Sequence, residues 1–186
     1  VKSNQNSLLR EVDKMDQLFN KLMGANTCKE VEELIKFIET NFNAAWRPVG
    51  DTKMNLSRIN IGSDPAAGVT ERITNAIDGV LERLWLEHGC PMGIRSPREA
   101  VEKWLGIKNG ELVSIEDDAE LRKLGDDVRV ILKESGDGRK PTVEIRDKGI
   151  GILAEDYHRT IVGLNESNKL DKFFLAGAYG QGGSTA

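Results

Sequence analysis

The stretch Glu71–Leu86, ERITNAIDGVLERLWL, constrains the fold most, because one helical period gives it two unlike faces. Ile73, Ala76, Ile77, Val80 and Leu84 recur at the spacing of an apolar helix face. Opposite them Glu71, Asn75 and Asp78 stand at i, i+4 and i+7, three short polar side chains on one stripe. A plain solvated face is one reading of that stripe, although surface helices favour longer Lys, Glu and Arg side chains there. The other reading is chemical. A carboxylate, an amide and a second carboxylate in successive turns suit a metal-bound anion and a water to be deprotonated. Asp64-Pro65, an N-cap followed by proline at the first helical position, predicts a central helix from Pro65 to about His88.

Ahead of this helix, Leu8, Val12, Met15, Phe19 and Leu22 repeat at four–three spacing and predict a helix over about Ser7–Met23. Gly24-Ala25-Asn26 breaks it. Thr27 with Glu30 three residues on reads as a capping box for a second helix carrying Val31, Leu34, Ile35, Ile38 and Phe42. Residues 1–44 therefore read as a helical hairpin, a packing or dimerisation element. From 43 to 63 the periodicity fades, with Ile59 and Ile61 in strand-like alternation.

After the central helix comes a Gly89–Gly93 loop, then a short helix from a second capping box, Ser96-Pro97-Arg98-Glu99, through Trp104. Residues 106–126 are acidic and read as a surface insertion with a helical turn near Ala119–Leu124. Val128, Val130 and Leu132, a Gly136-Asp137-Gly138 turn and Thr142–Arg146 predict a β-hairpin. It runs into Asp147-Lys148-Gly149-Ile150-Gly151. A helix is expected over Ala154–Val162 and a polar loop over Gly163–Leu175. The chain then reads GAYGQGGSTA from Gly177.

The last two stretches carry chemistry of their own. A strand ending in D-x-G-x-G can present a buried carboxylate to an exocyclic amine, and its glycines admit close backbone approach and positive φ. Standing alone it is also what a simple turn after an edge strand looks like. GAYGQGGSTA offers a run of unhindered N–H groups that can cradle phosphate oxygens. It lacks the Lys-Ser/Thr ending of a P-loop and the strand context of a dinucleotide fold. A flexible linker would also be glycine-rich, but Ala178 and Tyr179 are poor linker residues.

Taken in order, the three stretches resemble the motifs of the GHKL ATPase superfamily, whose members include gyrase, the large heat-shock chaperone, histidine kinases and MutL-like proteins. Glu71-x-x-x-Asn75-x-x-Asp78 is similar to its N-box and Asp147-x-Gly149-x-Gly151 to its first glycine box. Gly177-x-Tyr179-Gly180-x-Gly182 is similar to the box that closes its ATP lid. The G-x-[aromatic]-G-x-G form resembles the heat-shock chaperone and MORC ATPases. The resemblance implies a Bergerat-type α/β (α+β) two-layer sandwich, a mixed and mainly antiparallel sheet with helices on one face, over residues 45–186. It further implies that the domain is incomplete at its C-terminal end.

Carried onto this chain, the resemblance implies ATP and Mg²⁺ as ligands, with Glu71 as general base and Asn75 holding the metal. Asp78 would line the nucleotide pocket and Asp147 would accept from the adenine amine. Gly149 and Gly151 would border the base. Gly177, Gly180, Gln181, Gly182 and Gly183 would cradle the phosphates, with Lys169 adding charge. The implied function is a slowly hydrolysing switch with ATP and ADP as partners and a homodimer in the full-length protein.

Two other functions compete. A histidine kinase would carry a phospho-accepting histidine on a preceding helical pair, and the only histidines are His88 and His158. A non-hydrolysing nucleotide-binding module would have no need of Glu71. Composition excludes more. A formal charge of −4 with no basic stripe argues against nucleic acid, and no apolar run approaches a membrane span. Two unclustered cysteines fit a reducing, cytoplasmic compartment.

Overall fold

A computed structural model describes residues 2–48, 65–136, 138–157 and 171–177. The elements, in order, are α1 (Lys2–Gly24), α2 (Cys28–Asn41), α3 (Pro65–Glu87), α4 (Pro97–Leu105), α5 (Asp118–Gly125), β1 (Val128–Lys133) and β2 (Thr142–Asp147). Short 3-10 turns at Lys108–Gly110 and Leu112–Ser114 lie between α4 and α5. The class is α+β, and among the described residues the sheet is one antiparallel pair, β1 with β2. Ile59 and Ile61 lie outside the described residues. So does most of the helix expected over Ala154–Val162, whose first residues form a turn. Among the described residues no helix is long and apolar enough to cross a membrane.

The chain divides into two compact units. One is Val1–Arg47 with Ile131–Glu144, and the other is Pro48–Val130 with Ile145–Ala186. In the first, the capping box forms as its residue types dictate: the Thr27 hydroxyl accepts the Glu30 N–H at 3.2 Å. Glu30 Oε2 in turn accepts the N–H groups of Asn26 and Thr27 at 2.8 and 2.9 Å. These donors, the Asn26 N–H foremost, hold the Glu30 carboxyl below its ordinary value. Asn26 also ties helix to strand, its Oδ1 accepting from Lys133 Nζ at 2.9 Å and its carbonyl accepting from the Thr142 hydroxyl.

The second unit is built on α3. Its core joins Val80, Leu81 and Leu84 to Ile94, Ala100 and Phe174. The helix α4 starts on the Ser96 cap, whose hydroxyl accepts the Glu99 N–H at 3.1 Å, and stops at Gly106 with φ of 69°. Phe174 sits between two indoles, 5.7 Å from Trp85 and 5.3 Å from Trp104 between ring centres.

The apolar face expected for α3 is shifted in the structure. Ile77 is 43% exposed, whereas Leu81 and Asp78 are each 1% exposed. The helix is covered on more than one side through its middle turns, by α4 and Phe174 and by the chain after β2. One-sided periodicity therefore misassigns Ile77 and overlooks Leu81.

Candidate functional site

Gly79 is four residues beyond Asn75 and eight beyond Glu71, so the three share one stripe of α3. The turn after β2 lands on that glycine. Ile150 N–H donates to the Gly79 carbonyl at 3.2 Å. Gly149 N–H donates to Asp147 Oδ1 at 2.9 Å, and this oxygen lies 3.6 Å from where a Cβ on Gly79 would stand. Asp147 thus meets α3 one helical turn from Asn75, roughly 6 Å of rise. A further bond, Lys148 N–H to the Asp127 carbonyl at 2.9 Å, ties the turn to the residue before β1. The Asp147 carboxylate is exposed, where the strand-end reading expected a buried one. Its Oδ1 is engaged locally by the glycine two residues on.

The two glycines of D-x-G-x-G are required for different reasons. A Cβ on Gly149 would stand 2.6 Å from the Gly79 carbonyl carbon and 2.9 Å from its Cα, so only glycine fits against the helix. Gly151 has open space around it but a φ of 68°, the left-handed region where a side chain is strained.

Asp78, three residues beyond Asn75, is directed at the third motif. Its Oδ1 accepts the Ala176 N–H at 2.7 Å and its Oδ2 the Gly177 N–H at 2.9 Å. Gly177, the first residue of the glycine-rich stretch, is thereby fastened to α3. One turn further along the helix, Glu82 pairs with Lys172, whose ammonium also lies 5.4 Å from the Trp85 ring centre.

Glu71 and Asn75 are part-buried, and Asn75 Nδ2 donates to Glu71 Oε1 at 3.4 Å. A magnesium ion in a nucleotide site needs only one or two protein oxygens beside phosphates and water. The amide and the carboxylate that stand side by side on the stripe are of the residue types such an ion takes. Among the described residues no three His, Cys, Asp or Glu side chains cluster as a metal site of their own.

Lys169, Gly180, Gln181, Gly182 and Gly183 lie outside the described residues, as does His158. His88 closes α3, its Nδ1 2.8 Å from the Leu84 carbonyl and its ring stacked 6.0 Å from Trp104. Sequence reasoning missed Gly79, Glu82, Lys172 and Phe174. A glycine in mid-helix one turn after Asn75 was the available signal for the first. A cavity of about 400 Å³ opens between α4 and α5, lined by Trp104, Glu120, Lys123, Asp126 and Lys148 among others. Its lining includes none of Glu71, Asn75, Asp147 or Gly149, although Lys148, between the last two, is part of it. Comparison with family models, with curated proteins and with solved structures gave no match.

Proposed function

We infer that the second unit is a nucleotide-binding module that takes ATP with Mg²⁺ and hydrolyses it slowly, as a conformational switch within a larger protein. The observation that carries this reading is convergence. Two short motifs, far apart in the chain, meet the third on α3 within about one turn of Asn75, at Asp78 and Gly79. Asp147, Gly149 and Ile150 reach the helix at Gly79, and Gly177 reaches it at Asp78. The resemblance to the GHKL ATPases supplies the chemistry, and with it the finer architecture of a two-layer sandwich with a larger sheet.

On this reading the adenine amine donates to the Asp147 carboxylate and the base lies along Gly149 and Gly151. The phosphates run toward Asn75 and the glycine-rich stretch, with Gly180, Gln181, Gly182, Gly183 and Lys169 as their contacts. Magnesium, when bound, neutralises phosphate charge. Glu71 holds a water by its proton and accepts that proton as the water oxygen attacks the terminal phosphorus. The bond to the bridging oxygen breaks, leaving ADP and inorganic phosphate. ATP-dependent homodimerisation of the full-length protein is the expected output.

The test is titration calorimetry with ATP and Mg²⁺ beside a phosphate-release assay on wild type, Glu71→Ala, Asn75→Ala and Asp147→Asn. Glu71→Ala keeps binding and loses turnover by about 100-fold or more, the usual scale for a general base. The other two lose binding. Wild-type protein that fails to bind ATP refutes the reading, and Glu71→Ala turning over at the wild-type rate refutes the base assignment.

A further inference from the structure

Asp78 is the buried charged side chain among the described residues, at 1% exposure. A carboxylate persists in such surroundings when N–H groups satisfy it, and here the donors are the backbone of two consecutive residues, Ala176 and Gly177. Two adjacent N–H groups aimed at the two oxygens of one carboxylate fix the direction of the peptide between them. Phe174 in its aromatic slot and the Glu82–Lys172 pair already hold the chain to the helix just before that point. What Asp78 adds is orientation of the first residue of the glycine-rich stretch relative to the turn that bears Asn75.

We propose that Asp78 is a positioning residue for the phosphate end of the nucleotide, fixing Ala176 and Gly177 on α3 in register with Glu71 and Asn75, and not itself a ligand of the base. The proposal rests on the nucleotide reading above and departs from the pocket-lining role that the resemblance implies. Asp147 meets α3 at Gly79 through contacts that do not include the Asp78 carboxylate. Loss of that carboxylate therefore separates the two ends of the ligand.

The experiment compares wild type with Asp78→Asn, which keeps the shape but turns one acceptor into a donor facing an N–H. Amide hydrogen exchange at Ala176 and Gly177 is measured first, without nucleotide, and is expected to accelerate. Dissociation constants for adenosine and for ATP with Mg²⁺ follow. ATP binding is expected to weaken about tenfold, the scale of one charge-assisted hydrogen bond, with adenosine binding within about twofold of wild type. Asp78→Glu, which keeps the charge but moves the carboxylate by one methylene away from the two N–H groups, is expected to give the same selective pattern at about two- to threefold and decides the matter if Asp78→Asn does not fold. Equal weakening of adenosine and ATP overturns the proposal, as does faster exchange with unchanged ATP affinity. Wild type that binds neither ligand refutes the nucleotide reading itself, while the exchange measurement still reports whether Asp78 holds the segment.

Discussion

Replacing Gly149 with alanine should destabilise the second unit, and replacing Gly79, its partner in the same contact, should not. The asymmetry follows from direction. An alanine Cβ at 149 would stand 2.6 Å and 2.9 Å from two backbone atoms of Gly79 and 2.8 Å from Asp147 Oδ1. Carbon atoms pack at about 3.5–4.0 Å, so turn and helix must part by roughly 1 Å. Overpacking of this kind costs about 1–3 kcal/mol. The Ile150 N–H to Gly79 carbonyl bond, already 3.2 Å, would open and remove about 1 kcal/mol more. Loss of glycine from the unfolded chain returns about 0.4–1 kcal/mol. The net is about 1–3.5 kcal/mol, or roughly 2–14 °C in Tm for a chain of this size. A Cβ at 79 would meet Asp147 Oδ1 and Gly149 Cα at 3.6 Å each, ordinary contact, while mid-helix Gly→Ala gains up to about 1 kcal/mol. Urea unfolding followed by tryptophan fluorescence reads the second unit, since Trp85 and Trp104 pack on its core whereas Trp46 is 77% exposed. Gly149→Ala unfolding at the wild-type midpoint, or Gly79→Ala proving the worse of the two, would refute the packing argument.

Phe174→Ala should cost about 3–5 kcal/mol, as truncation of a buried aromatic does, and should change the fluorescence of both neighbouring indoles in the native state; a loss under about 1 kcal/mol would mean the 171–177 segment is not anchored there. In the first unit, the Glu30 carboxyl is held below its ordinary value by the Asn26 N–H and the Thr27 hydroxyl. Its contribution to stability is therefore present above the unfolded-state pKa and lost as pH falls through the lower folded value. Circular dichroism at 222 nm should show Glu30→Gln with a smaller loss of stability between neutral and acid pH than wild type, and an identical pH dependence in both would contradict the capping role.

The local elements were legible because their signals are short-range. Thr27 with Glu30 and Ser96 with Glu99 mark helix starts through bonds made within a few residues, and the β-hairpin follows from alternation across a glycine turn. Glu99 departs in one detail, its Oε2 accepting the Arg95 N–H at 2.9 Å while the Ser96 cap stands as expected. Long-range burial was not legible. A stripe of Glu71, Asn75 and Asp78 reads as one polar face, yet Asp78 is buried because donors from residues about a hundred positions later converge on it. Helical periodicity carries no information about such partners. For the same reason Ile77 looked like core and Leu81 did not. Phe174 lay in a stretch read as a polar loop, because a single anchoring aromatic makes no periodic pattern.

Each of the bland alternatives makes a structural demand, and the demands can be weighed one residue at a time. A D-x-G-x-G that merely turned the chain would have no use for Gly149, which has no left-handed φ and is needed only for its approach to α3. A linker would not have its first glycine bonded to a buried carboxylate. A solvated helix face would not place Asp78 at 1% exposure. Those three observations favour an assembled site over three unrelated local features. They bear on how the three stretches pack together and not on hydrolysis, because Glu71 touches none of them; its contact with Asn75 is a 3.4 Å bond that any helix can make at i, i+4. Binding and turnover are therefore separable here. A Glu71→Ala protein that binds ATP as wild type does but releases no phosphate, where wild type releases it, would make Glu71 the base, whereas one that matches wild type in both would refute that assignment and leave the glutamate only part of the helix surface.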